Sequence, residues 1–225
     1  HQGKKKKLNF KIENFPIFKD KIVYLVIDKF PKNISNWDRE NFQRNYIFKG
    51  LYSALDEDYI MISDVDEIPD LSKVKKLDDS KITVFEQKMF YYKINVANQT
   101  HPHWYGSRIC KKKYLKSPQW LRNQKVKKYP FWRFDKVRWN IIKNGGWHFS
   151  FLMHPEEIRK KLSSYAHSEF NKSEFKNLDR IKKVINNKSD LFNRPITYNI
   201  VKFDRSFPDY VVNNKDKFKD WILYE

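Results

Sequence analysis

Two short apolar runs organise the first seventy residues. Ile22-Val23-Tyr24-Leu25-Val26-Ile27, closed by Asp28 and Pro31, has the pattern of a buried strand. Tyr59-Ile60-Met61-Ile62-Ser63 predicts a second. Between them, Ser35 stands three residues before Asp38, the spacing of a capping box at a helix start. Trp37, Phe48, Leu51 and Leu55 then supply an apolar stripe, with Gln43 and Arg44 near its middle. Strand, helix and strand in this order predict an α/β unit with a parallel pair.

Further along, Ile82–Phe85 and Phe90–Ile94 are strand-like and close together, which predicts an antiparallel hairpin or edge. Trp104 to Cys110 predicts another strand. From Lys111 to Lys143 basic residues alternate with Trp120, Phe131, Trp132, Phe134 and Trp139. That stretch reads as loop-rich and suited to covering a substrate. Gly145-Gly146 permits a sharp turn into an aromatic strand with His148 embedded in it. Pro155-Glu156-Glu157 opens a helix with Ile158, Leu162 and Tyr165 on its buried face. A further helix is expected from about Ser173, with Phe175, Leu178, Ile181 and Ile185 inward, and a short one between Pro208 and Trp221. No repeat, linker or domain boundary is visible, so a single domain over 1–225 is expected.

The second apolar run empties into Asp64-Val65-Asp66-Glu67-Ile68-Pro69. Residues two apart in an extended chain share a face, so Asp64 and Asp66 should project together, about 7 Å apart if the chain is straight. A slight bend would aim both at one hard divalent cation. Ligand sites in open α/β sheets lie beyond the carboxyl ends of strands, where this turn would fall. A merely solvated turn is the competing reading. The strongly apolar strand, the third charge of Glu67 and the proline exit weigh against it.

Composition changes the picture in three places. Aromatics at 17% argue for a folded core despite 32% charged residues. The 5 glycines form no Gly-rich phosphate loop, so a nucleotide would be held through metal and side chains. The net charge of +19 is mostly lysine spread along the chain, in company with Asn, Ile, Phe and Tyr. That mixture fits a codon bias better than a dedicated nucleic-acid surface, and attraction of anionic substrates lies between the two. The single cysteine, Cys110, makes no internal disulfide, and no run approaches the roughly 18 apolar residues of a membrane span.

The acidic turn, Gly145-Gly146-Trp147-His148-Phe149-Ser150 and Ala166-His167-Ser168-Glu169-Phe170-Asn171, in this order, resemble glycosyltransferase family 17. His1-Gln2-Gly3-Lys4 and Trp37 with Gln43-Arg44-Asn45 extend the resemblance over most of the chain. The family includes the enzyme that adds the bisecting β-1,4-linked N-acetylglucosamine to N-glycans. The resemblance implies a GT-A-like fold with a mixed sheet flanked by helices, a UDP-sugar donor, a glycan acceptor, a divalent cation (Mn²⁺ or Mg²⁺) and inversion at the anomeric carbon.

On that basis Asp64 and Asp66 would hold the metal, Asp66 directly and Asp64 towards ribose or a metal-bound water. His148 is a further candidate for metal or diphosphate, although a histidine between aromatics is as often a core residue. Glu169 is the expected base, with Glu67 as its competitor. Arg44 and Gln43 are expected at the donor, or else on a solvated helix face. Arg108 is expected to stabilise the leaving group, and Trp147 to stack on a sugar. The segment that family members carry ahead of His1 has no counterpart here, so a fold lacking its first strand is expected. The anchor of the animal enzymes is likewise missing, which suggests a cytoplasmic bacterial or viral enzyme. Two rivals stay open: a haloacid-dehalogenase-type phosphohydrolase with Asp64 as nucleophile, and a basic nucleic-acid-binding module without catalysis.

Overall fold

The computed structural model describes residues 10–79, 81–126, 132, 138–163 and 171–224. After two short 3₁₀ turns, α1 (Asn36–Tyr46) starts where expected. Ser35 accepts from the Asp38 amide at 3.1 Å, and the Asp38 carboxylate takes the Ser35 amide in return. Its predicted stripe is not buried: Trp37, Phe48 and Leu55 all remain exposed.

A mixed sheet of eight strands follows. The strands are β1 (Tyr59–Ile62), β2 (Glu67–Pro69), β3 (Ile82–Tyr91), β4 (Val96–Asn98), β5 (His103–Lys111), β6 (Trp139–Ile142), β7 (Gly146–Ser150) and β8 (Tyr198–Ile200). The helices are α1, α2 (Pro118–Asn123), α3 (Pro155–Leu162), α4 (Leu178–Asn186) and α5 (Asp209–Asn213). The long strand β3 is central. On one side it pairs antiparallel with β5 and β4, and on the other it runs parallel to β6 and then β7. β5 carries β1 on its outer edge, β4 carries β8, and β2 pairs antiparallel with β7.

Two expectations are corrected here. Ile22–Ile27 forms no strand, and Val23 and Tyr24 lie exposed. An apolar run becomes a strand only with a ladder to join, and the described pairing of β1 is antiparallel, to β5. The parallel pairs of the sheet lie instead at β3. Ile82–Phe85 and Phe90–Tyr91 are also not two arms of a hairpin but the ends of one ten-residue strand. The polar Gln87 between them is buried within the strand rather than in a turn: it is 0% exposed, and its side-chain amide faces Ser107.

The core follows from strand alternation. Ile60 and Ile62 of β1 meet Ile82, Val84, Cys110 and Leu121 on one face, while Phe85 meets Ile109 and Ile142 on the other. The far end of β3 sends Tyr91 towards Phe151, α3 and α4, and Phe90 towards Phe149, Phe207 and Val211 of α5. The helix foreseen from Ser173 is broken in two, a 3₁₀ turn at Glu174–Lys176 and then α4, because Asn177 takes an extended conformation and caps α4 through the Arg180 amide. No helix among the described residues is long and apolar enough to cross a membrane.

Beyond α4, Asp190 ties the helical face to the sheet edge. It accepts from the Phe192 and Arg194 amides, the Arg194 guanidinium and the Tyr198 hydroxyl. Burial disfavours its charge, but Arg194 and the two amides outweigh burial and hold its carboxyl below the ordinary value. A depressed folded pKa contributes stability above the unfolded value and loses it as pH falls through the folded one. Asp190→Asn should therefore lower stability by about 2 kcal/mol at pH 7. In urea denaturation the gap to wild type should narrow below about pH 4; a gap that persists into acid would contradict the assignment.

Candidate active site

β1 delivers Ser63 and Asp64 into a tight turn closed by the Glu67 amide donating to the Asp64 carbonyl at 3.0 Å. β2 then pairs Glu67 opposite His148 in β7, and the Phe149 amide donates to the Asp66 carbonyl at 2.9 Å. This ladder requires Gly146, with φ of 131° opposite Pro69. A side chain there would strike the Ile68 carbonyl and lie 2.8 Å from the Asp70 amide nitrogen.

The three acids of the turn have different surroundings. The Glu67 side chain is fully buried, against 36% exposure for Asp64 and 32% for Asp66. Arg122 grips Glu67 with both terminal nitrogens, Nη1 at 3.1 Å from Oε2 and Nη2 close on Oε1. Trp104 Nε1 donates to Oε1 at 2.7 Å, Ser107 Oγ to Oε2 at 3.2 Å, and the Asp64 amide to Oε2 at 3.2 Å. Asp64 accepts from Arg122 Nη2 at 2.8 Å and from Arg44 Nη2 at 3.3 Å. Asp66 turns instead towards His148, whose Nε2 lies 3.5 Å from Oδ1. Burial opposes the Asp66 charge, but His148 and Lys161 outweigh it and keep the carboxyl below its ordinary value.

His148 is oriented on its other side as well. Its ring stacks on Trp104, with centroids 5.0 Å apart, and Nδ1 lies 2.8 Å from Met89 Sδ. A thioether sulfur carries no hydrogen, so Nδ1 can only donate to it, while Nε2 faces the Asp66 carboxylate and meets it through a shared proton or a cation.

This pair is the part of the site that fits a divalent ion. It offers one carboxylate and one imidazole, and Mg²⁺-type sites keep few protein ligands and fill up with water and substrate phosphate. Asp64 does not join the pair, because two guanidiniums already hold it. Among the described residues no group of three or more His, Cys, Asp and Glu side chains is gathered for a metal. The two aspartates expected on one ion thus have different partners, Arg44 and Arg122 for Asp64 and His148 for Asp66.

The other expected residues divide. Arg44 reaches the site from α1, braced by Glu40 at 3.2 Å, whereas Gln43 is exposed and joins none of these bonds. Arg108 of β5 is buried beside Arg122, as discussed below. Trp147 alternates with His148 along β7, so it faces the opposite side of the sheet. It packs near Phe149 and Phe207 and donates to the Ser206 carbonyl at 3.1 Å, which removes it from the turn. Glu169 lies outside the described residues.

Arg122 went unforeseen although a signal was present. Ser117-Pro118 is a cap followed by a first-position proline, and Ser117 does accept from the Trp120 amide at 3.0 Å at the start of α2. Ser107 and Gly106 carried no comparable mark, since their roles depend on β5 lying against Glu67.

The arginine-clamped acid turn, with Glu67 buried and Asp64 and Asp66 partly open, lies beside an oriented histidine. The chain belongs to glycosyltransferase family 17, whose family model matches residues 1–223. Its activity is accordingly glycosyl transfer, from a donor to an acceptor. No curated protein and no solved structure matches the chain.

Gly106 tests how tightly the acid turn is built. A methyl group there would sit 2.7 Å from both Glu67 Cδ and Trp104 Cδ1 and would collide with the Gln87 amide. Gly106→Ala should cost about 1–3 kcal/mol in urea denaturation and reduce transfer. Wild-type stability together with wild-type transfer would contradict the close packing.

Proposed function

We propose that the chain is an inverting, metal-dependent glycosyltransferase with a GT-A-like fold, one catalytic domain over 1–225. It would move a sugar, N-acetylglucosamine by family resemblance, from a UDP-sugar to a glycan hydroxyl. The observation that carries this reading is the Asp66–His148 pair, with Nε2 facing the carboxylate 3.5 Å away and Nδ1 turned to a thioether.

Asp66 and His148 would hold Mn²⁺ or Mg²⁺, both of which accept carboxylate oxygen, with Mn²⁺ the more tolerant of imidazole. When bound, the cation supplies positive charge to the diphosphate as UDP departs. Asp64 keeps its carboxylate at the turn, fixed by Arg44 and Arg122, and would accept from a donor hydroxyl such as that of ribose. Glu67 is read as a positioning residue rather than a base. Its oxygens already accept from Arg122, Trp104, Ser107 and the Asp64 amide, which leaves no route for an acceptor proton. Trp104, held by Glu67, keeps the His148 ring in its plane. Inversion needs one base on the acceptor side, and Glu169 is proposed for it on the sequence motif alone.

The phosphohydrolase reading fares worse on geometry. A nucleophilic Asp64 needs a free oxygen for in-line attack, but Arg44 bonds both of its oxygens and Arg122 bonds one.

Asp66→Ala should reduce Mn²⁺-dependent release of UDP from UDP-N-acetylglucosamine by about 100-fold or more, while circular dichroism and the melting temperature stay near wild type. Turnover at the wild-type rate would sink the metal assignment. Glu169→Gln should leave UDP-sugar binding intact in calorimetry and lower transfer by about 100-fold. Unchanged transfer would remove Glu169 from the role of base.

A further inference from the structure

Three guanidiniums gather around the acid turn, and their partners differ. Arg44 pairs with Glu40 and Asp64, and Arg122 with Glu67 and Asp64. Arg108 is only 7% exposed, yet among the described residues it has no carboxylate within ion-pair reach. Its Nη1 donates to the Gly106 carbonyl at 2.6 Å, Nη2 stands 3.4 Å from the Gln124 carbonyl, and the buried Nε has no acceptor among the described residues. Burial and the neighbouring Arg122 charge outweigh the more distant Glu67 and Asp64 and pull its pKa down to about 10. It therefore still carries its charge at neutral pH.

A buried charge with an empty donor is unfavourable in a free protein, and replacing such a group by a well-packed apolar side chain is often neutral or stabilising. Arg108 is not hidden in a sealed core, however. It lines an open cleft of about 300 Å³ together with His103, Trp104, Tyr105 and Arg122. The cleft thus combines aromatic walls with one guanidinium not yet neutralised, beside the turn that holds Asp64 and Glu67. The net charge of +19 draws anions towards the molecule as a whole.

We propose that Arg108 receives an anionic oxygen group, phosphate or carboxylate, of a substrate lodged in the cleft lined by His103, Trp104, Tyr105, Arg108 and Arg122. The identity of that substrate as donor or acceptor rests on the transferase reading above. The existence of the anion site does not.

The test is calorimetric titration of the whole chain with pyrophosphate in EDTA, so that no divalent metal takes part through Asp66 and His148. Wild type should bind. Arg108→Met should weaken binding tenfold or more, Arg108→Lys should weaken it less, and free Arg108→Met should melt at or above the wild-type temperature. Loss of binding with an unchanged or raised melting temperature separates a ligand-receiving arginine from a structural one. Pyrophosphate binding that survives Arg108→Met, or a wild type that binds none, would each overturn the proposal. Should Arg108→Met melt below wild type or fail to fold, Arg108→Lys decides, and unchanged binding in that variant overturns it. Parallel titrations with UDP and with glucose 6-phosphate tell the sources apart, since the ligand whose affinity falls in Arg108→Met is the one whose anion sits there. A protein that binds pyrophosphate through Arg108 yet never turns over a UDP-sugar would refute the transferase reading and leave this one standing.

Discussion

A carboxylate withdrawn completely from water needs a positive charge and hydrogen bonds around it, and Glu67 obtains both from Arg122, Trp104 and Ser107. The acid turn depends on that cluster. Arg122 enters from α2, Trp104 and Ser107 from β5, and Glu67 from β2, so one buried group fastens three separate elements together. Removing either member of the pair would strand a charge in the interior, which is why such pairs hold position even where they add little net stability. The same bonds reach outward. Arg122 also fixes Asp64, and Trp104 also stacks on His148, so the orientation of the chemically exposed groups is inherited from the buried one.

This arrangement divides labour among three neighbouring acids by environment alone. Glu67 is sealed and saturated. Asp64 is half open and held between two arginines. Asp66 is partly open and faces the His148 imidazole. A single extended strand would have presented Asp64 and Asp66 on one face, but the closed turn and the β2–β7 ladder send them to different partners. The ladder thus brings Asp66 and His148, two residues 82 positions apart, side by side.

Much of this was legible in the sequence where the signal was local. The Ser35 cap, β1 with its acidic exit, β5, β7 with its glycine entry, and the start of α3 each rest on residues a few positions apart, and each formed as expected. What failed was non-local. Ile22–Ile27 has the composition of a strand but no described ladder. Glu86-Gln87-Lys88 looked like a turn because nothing in one sequence says that Ser107 waits to pair with Gln87. The candidate site was read in the same way: Asp64, Asp66, His148 and Arg44 stand out by type, whereas Arg122 and Gly106 matter through what they touch. Trp147 packs away from the turn, since alternation along β7 allows only one of two adjacent side chains to face it.

In the metal-dependent reading proposed above, Asp66 and His148 face the cation while arginines retain Asp64. Anomalous diffraction from a crystal grown with Mn²⁺ and UDP measures this directly. One manganese peak is expected in contact with Asp66 and His148 Nε2, with Arg44 and Arg122 still bonded to Asp64. A peak bridging Asp64 and Glu67, with Arg122 displaced from both, would contradict it.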